Sequence, residues 1–255
     1  MAVTTSPDDL HLASTKGIWS WITTVDHKRI GIMYAVAAFT FFIVGGLEAL
    51  LIRTQLATSN GTVLSADAYN QLFTMHGLTM VFAVIMPIAA AFQNYFVPLQ
   101  IGARDVAFPR LNAFSFWLFL FSVVLLMTSF VLGGSPDGAW VGYAPLSTQL
   151  VEFVRMDYYS IGAQLLGIAS LASSINFLAT IFTMRAPGMT LMRMPVFTWM
   201  TVVTSFLLAL SLPVIGIGLW QIFFDRNFGA LFYQSQAQGD PLLWQHLFWI
   251  FGHPE

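Results

Sequence analysis

Several ionisable and metal-competent side chains lie inside otherwise apolar runs of this sequence. Residues Pro241 to Glu255 read PLLWQHLFWIFGHPE. A charged group at the centre of a bilayer costs about 3 kcal/mol even on mild scales, so such a group reads by default as functional. His253 is deep in that run, beside Pro254, and a neutral imidazole there suits copper or iron. His246 shares nearly the same helix face but lies about 10 Å away along the axis, too far to share one metal. It reads as a structural hydrogen-bonder near the aqueous edge. Glu255 is about 20 Å into its helix, where a carboxyl group either relays a proton when a nearby charge changes or simply bonds a backbone carbonyl.

Three more constellations carry chemistry. His76, in TMHGLTM, lies about 6 Å past the start of an apolar helix. Gly77 leaves room beside it for a flat group. Imidazole is the commonest axial ligand of haem iron; the alternative is a histidine hydrogen-bonded at the lipid interface. Asp105, in LQIGARDVAFPRLN, is bracketed by Asn94 and Asn112. With Ser170, Ser173 and Asn176 at three-residue spacing on another helix, these side chains form either a packing stripe or a water-lined proton path toward Glu255. Glu48 lies one turn before the outer end of its helix and five residues before Arg53. It is expected to form an interfacial ion pair or to reach toward water, with a ligand-binding role open.

The elements that position these groups are membrane helices. Of 255 residues, 57% are hydrophobic and 9% charged, against about 25% charged in an average soluble domain. Mean hydropathy is +0.73. The chain has no cysteine, which excludes disulfides, thiolate haem ligands and iron–sulfur clusters within it. Residues 1–17 lack the basic-then-apolar layout of a signal peptide. Apolar stretches of about 20 residues, the length of a spanning helix, predict five spans: Ile30–Ile52, Leu72–Val97, Ala113–Leu132, Ile161–Met184 and Phe197–Phe224. A sixth starts near Pro241. The fold class is all-α, a polytopic transmembrane bundle. With no linker or repeat, residues 1–255 read as one membrane domain, residues 1–29 forming its N-terminal segment.

Charge placement sets the topology. The N-terminus and the loops after the second and fourth spans hold Lys16, Lys28, Arg29, Arg104, Arg110, Arg185 and Arg193. The other loops hold Arg53, Arg155 and Arg226. The positive-inside rule then puts the N-terminus in the cytoplasm. Trp19, Trp21, Trp140 and Trp244 are expected at the membrane interfaces. Pro87 and Pro213, inside spans, read as packing kinks.

The stretches TTVDHKRIGIMY, LIRTQL, TMHGLTMVF, NYFVPLQIGARDVAFPRLNAFSFW, SINFLATIFTMRAPGM and WQHLFWIFGHPE, in this order, resemble subunit I of the haem–copper terminal oxidases of the cytochrome c oxidase type. The resemblance implies the N-terminal half of a subunit in a bacterial-type cytoplasmic membrane. That subunit reduces dioxygen to water with electrons from cytochrome c, coupled to proton pumping. It uses two haems, low-spin and high-spin, and copper, beside oxidase subunits II and III; no nucleic-acid partner is expected. By the same resemblance His76 is an axial ligand of the low-spin haem and His253 a ligand of the copper. Asp105 is the mouth of the proton path, Asn94, Asn112 and Asn176 line it, Ser170 holds water in it, and Glu255 is its branching acid. Arg53 lies near the low-spin haem, and Trp140, in GAWVGYAPLS, bonds a haem propionate. The family's remaining metal ligands and its lysine-based proton path fall beyond Glu255, so 255 residues alone are expected to be inactive. Gln55 stands where many relatives have a carboxylate that helps bind calcium or sodium.

Two alternatives stay open. A quinol oxidase of the same superfamily would use Glu48 and Gln71, although Val44 and Ala68 replace the arginine and histidine expected there. A proton-coupled secondary transporter would use Glu48, Asp105 and Glu255 as coupling acids.

Overall fold

The computed structural model describes residues 17–132, 134–148 and 155–253. The described residues form helices and no strands. A short α1 (Trp19–Ile22) precedes α2 (His27–Gln55). The second span is continuous from Ala66 to Ile101 but changes character along its length. It runs as α3 (Ala66–Leu78), a π-helical stretch (Thr79–Ile85) and α4 (Met86–Ile101). Then come α5 (Pro109–Thr128), α6 (Arg155–Thr183), α7 (Val196–Phe228) and α8 (Pro241–Gly252). Among the described residues, five helical stretches, α2, α3–α4, α5, α6 and α7, are long and apolar enough to cross a membrane.

The ends follow local chemistry. Asp26 accepts the Arg29 N–H at 2.9 Å, Ser65 the Ala68 N–H at 3.1 Å and Asp240 the Leu242 N–H at 2.9 Å. Each capping oxygen satisfies a donor that the first helical turn leaves open, so α2 and α3 start earlier than their apolar runs. The third span stops at Thr128 instead of Leu132, and Ser129 Oγ turns back onto the Leu126 carbonyl at 2.5 Å. Such a bond offers the chain an alternative to continuing the helix.

The expected kink at Pro87 is a π-helical stretch. Pro87 has no N–H to offer the Ala83 carbonyl. The backbone just before it widens, with the Met86 N–H reaching Val81 O, five residues back. Pro213 sits within an unbroken α7.

The helices pack mainly as sequence neighbours: α5 on α6, α6 on α7, α7 on α8. The second span sits inside, touching α2, α6 and α7. Two glycines on α2 let it approach closely. A Cβ at Gly31 would lie 2.9 Å from Ala91 O, and one at Gly45 would lie 2.8 Å from Met80 Sδ. The core between the spans is built from Tyr34, Phe82, Phe116, Phe119, Leu166 and Leu219. Trp244 belongs to this interior and not to an interfacial belt: it is fully buried, and its indole N–H reaches Val141 O at 3.0 Å. Trp19 and Trp21 are exposed, as expected.

Candidate functional site

His76 sits in the last turn of α3, facing α2. Its Nδ1 lies 3.0 Å from the carbonyl of Gly45. A carbonyl can only accept, so Nδ1 carries the proton and the Nε2 lone pair is left available, the arrangement of a metal-ligating imidazole with an outer-shell partner. Beside it, a Cβ at Gly77 would meet Trp140 Cβ at 3.2 Å. His76 and Trp140 thus lie on adjoining elements, which the sequence could not show. The imidazole of His76 suits a haem ligand, whereas the space beside Gly77, expected to take a flat group, is filled by Trp140.

Trp140 is carried on a strap, residues 134–148, pinned from three helices. Gln71 of α3 accepts the Ser135 N–H at 2.8 Å, and Thr74 accepts that of Ala139 at 2.9 Å. Tyr159 of α6 donates to Trp140 O at 2.9 Å. From α8, Trp249 donates to the Tyr143 hydroxyl at 2.6 Å. Ala139 and Gly142 take positive φ, 57° and 52°, so the strap turns sharply where the indole is presented.

A second site begins at the α4–α5 loop. Asp105 is half-buried and accepts the Val106 N–H at 2.7 Å. Burial pushes its carboxyl above the ordinary range; the Val106 N–H and His27 oppose this, and the nearby Asp26 charge adds to it. His27, 1% exposed, contacts the backbone carbonyl of Asn94 at 2.8 Å through Nδ1. Above it the buried amides are incompletely used. Asn94 donates to Ala90 O at 2.8 Å but its Oδ1 has no partner, and Asn112, 0% exposed, has none for either side-chain atom. Buried polar atoms without partners are where ordered water belongs.

The track continues through Ser115. Ser115 donates to Asn112 O at 2.8 Å, and Tyr34 lies 3.3 Å from its hydroxyl. Tyr34 lines a cavity of about 180 Å³ that also holds Ser170, Ser173, Ser174 and Ser205. Ser170, Phe82 and Met86 are shared with a second, more apolar cavity of about 230 Å³ between α6, α7 and α8. His27, Tyr34 and Ser115 were not singled out from the sequence. Tyr34 and Ser115 are 81 residues apart and meet only across α2 and α5.

Asn176 does something other than line this track. Its Oδ1 accepts the Phe108 N–H at 2.8 Å and its amide donates to Phe108 O at 3.3 Å. Thr180 likewise accepts the Ala107 N–H at 2.8 Å. These two side chains of α6 fasten the loop that leads from Asp105 into α5.

The remaining candidates are placed as follows. His253 ends α8 and is exposed, as is His246. No group of three or more His, Cys, Asp or Glu able to hold a metal occurs among the described residues; they do not complete a copper site. Glu255 and Pro254 lie outside the described residues. Arg53 is exposed in the last turn of α2, where a cation complements the helix C-terminus. The expectation for Glu48 is corrected. It is buried at 5% exposure and faces Thr79 Oγ1 at 3.4 Å, with no ion pair to Arg53 among the described residues. The Gln55 amide donates to Gly61 O at 2.6 Å and accepts the Leu64 N–H at 2.8 Å. It closes the loop after α2 and supplies no charge for a cation.

Residues 29–255 match the sequence profile of the family described as cytochrome c and quinol oxidase polypeptide I. The chain belongs to that family. It is 50% identical over 248 residues to cytochrome c oxidase subunit 1 of Bacillus sp. (strain PS3), covering 96% of this chain and 40% of that protein. It is 51% identical over 238 residues to cytochrome c oxidase subunit 1 of Bacillus subtilis (strain 168), covering 93% and 38%. Quinol oxidase subunit 1 of the same strain is 48% identical over 242 residues, covering 94% and 37%. The chain thus spans about two fifths of the length of these relatives. Family membership agrees with the resemblance read from the motifs and does not support a secondary transporter. Both electron donors occur among the names.

Proposed function

We propose that this chain is the N-terminal part of the catalytic subunit of a respiratory terminal oxidase. The whole subunit reduces dioxygen to water with electrons from cytochrome c, in company with oxidase subunits II and III, and couples this to proton pumping. The observation that carries the reading is the pair of buried, incompletely bonded amides, Asn94 and Asn112, together with the serine-lined cavity. A packing stripe would satisfy these atoms; a water path requires them open.

The residues divide the work. Asp105 collects protons at the cytoplasmic face, where its part-buried carboxyl binds them more readily than a free aspartate. Asn94, Asn112, Ser115 and Tyr34 hold the water that carries them inward, and Ser170 passes them toward Glu255. Asn176 is a positioning residue that fixes the loop carrying Asp105. His76, its tautomer set by Gly45, offers Nε2 to the low-spin haem, which supplies one-electron transfer when bound. Trp140, held by the strap, presents its indole beside that face for a propionate, and Arg53 adds positive charge at the outer end. His253, at the end of α8, would offer an imidazole to copper. The apolar cavity between α6 and α7, with the exposed Ile168 and Ile217 at its wall, suits dioxygen arriving from lipid.

A quinol donor is the second reading, favoured by the relatives of that name. Against it stands Gln71, whose amide already serves Asp67 and the Ser135 N–H, at 2.8 Å each. In the assembled oxidase, Asp105→Asn is expected to slow proton uptake and turnover. A Soret band shifted by carbon monoxide is expected from the same preparation; unchanged uptake in the variant, or a colourless protein, refutes the proposal.

A further inference from the structure

Glu48 is an acid that none of the steps above uses. It lies in the outer part of α2, 5% exposed. One carboxyl oxygen takes a long bond from Thr79 at 3.4 Å, and the other has no partner. An ionised carboxylate so poorly bonded is costly inside a membrane, so such a group persists where its charge is used.

The neighbourhood shows what uses it. Gly45 and Glu48 are one turn apart on α2, and His76 and Thr79 one turn apart on the second span. Gly45 O holds His76 Nδ1 at 3.0 Å, while Thr79 holds Glu48. The two contacts interlock, because a Cβ at Gly45 would lie 3.3 Å from Thr79 Cγ2. Glu48 and His76 therefore belong to a single helix–helix contact. From α5, the apolar Val123, Leu126 and Met127 line a small cavity with Thr79. His76 is the titratable group that the second span presents here. On α2 itself Arg53 is farther out and exposed, and the strap's Asp137 lies with Arg155 and Asp67 at the outer end. Ala91 and Tyr95 of α4 meet α2 at Gly31, and Asn94 meets it at His27, both toward the opposite end of α2 from Glu48.

We propose that Glu48 holds the proton that accompanies an electron onto the centre bound by His76. The inference rests on the reading of His76 as a haem ligand. When one electron arrives, the Glu48 carboxylate takes one proton from water beyond the end of α2, about 10 Å away. When the electron leaves, the proton leaves with it. Reduction makes the site more negative and strengthens the carboxyl's hold on its proton. Raising the pH therefore favours the oxidised form.

The test uses the assembled oxidase and its optical spectrum at a fixed applied potential. In the wild type the reduced-to-oxidised ratio of the low-spin haem falls with rising pH, by up to about tenfold per pH unit for full coupling of one proton. Glu48→Gln keeps the shape and loses that dependence, together with a redox-linked carboxyl band in the infrared difference spectrum. Glu48→Asp keeps a pH dependence with a displaced midpoint, and this variant decides the matter if Glu48→Gln does not assemble. A pH dependence that survives Glu48→Gln, or one unmoved by Glu48→Asp, overturns the proposal alone. A low-spin signal that survives His76→Ala overturns the ligand reading and this proposal with it.

Discussion

Replacing Asn112 by leucine separates a water path from a packing stripe, because the two assign opposite signs to the result. Asn112 is 0% exposed, and neither its amide nitrogen nor its oxygen has a partner. A buried polar group left without a hydrogen bond costs about 1–3 kcal/mol. Leucine has a similar volume and no polar atoms. If the amide is dry, Asn112→Leu gains up to about 3 kcal/mol of stability; if water satisfies it, the change is near zero. In either case the substitution removes the two atoms that water would bridge between Asp105 and Ser115. Positioned proton-transfer groups contribute roughly 10²-fold or more to rate, so proton uptake should fall by about that factor while stability holds or rises. Stopped-flow spectroscopy with a pH indicator, on oxidase in liposomes, measures the first; denaturant unfolding monitored by haem absorbance measures the second. Uptake at the wild-type rate, or a stability loss of several kcal/mol, would refute the reasoning.

Three further outcomes follow from the geometry. Gly45→Ala places a Cβ 2.8 Å from Met80 Sδ and 3.3 Å from Thr79 Cγ2, so overpacking should cost about 1–3 kcal/mol and shift the low-spin haem spectrum as the Gly45–His76 contact opens; an unchanged spectrum counts against His76. Asp26→Asn preserves the cap of α2 but removes a like charge that helps hold the Asp105 carboxyl high. The acid limb of proton uptake should then move to lower pH, and a limb that stays put removes Asp105 as the collecting group. Tyr159→Phe deletes the bond to Trp140 O and should cost about 1–3 kcal/mol; the propionate bands of the haem in resonance Raman spectra should move if Trp140 is placed as argued.

Much of the fold was legible because the bilayer leaves few options. Backbone groups in lipid must bond within their own segment, so long apolar runs such as Phe197–Phe224 could only be helices. Their true ends depended on caps such as Asp26 and on Ser129, where one side chain outweighs several apolar neighbours. The π-helical stretch before Pro87 was not legible: proline announces a missing donor, but packing decides how the backbone absorbs it.

The sequence by itself determined that His76, Asp105, Asn94 and Asn112 lie in or beside apolar spans, where only metal, proton or packing roles justify them. Only the tertiary structure decided which partner each side chain meets. It gave His76 the Gly45 carbonyl, left Asn112 open and closed Asn176 onto Phe108. It also drew Glu48 inward to Thr79 instead of outward to Arg53. The reason is that spacing along one helix fixes a face, whereas the partner opposite that face comes from a segment tens of residues away.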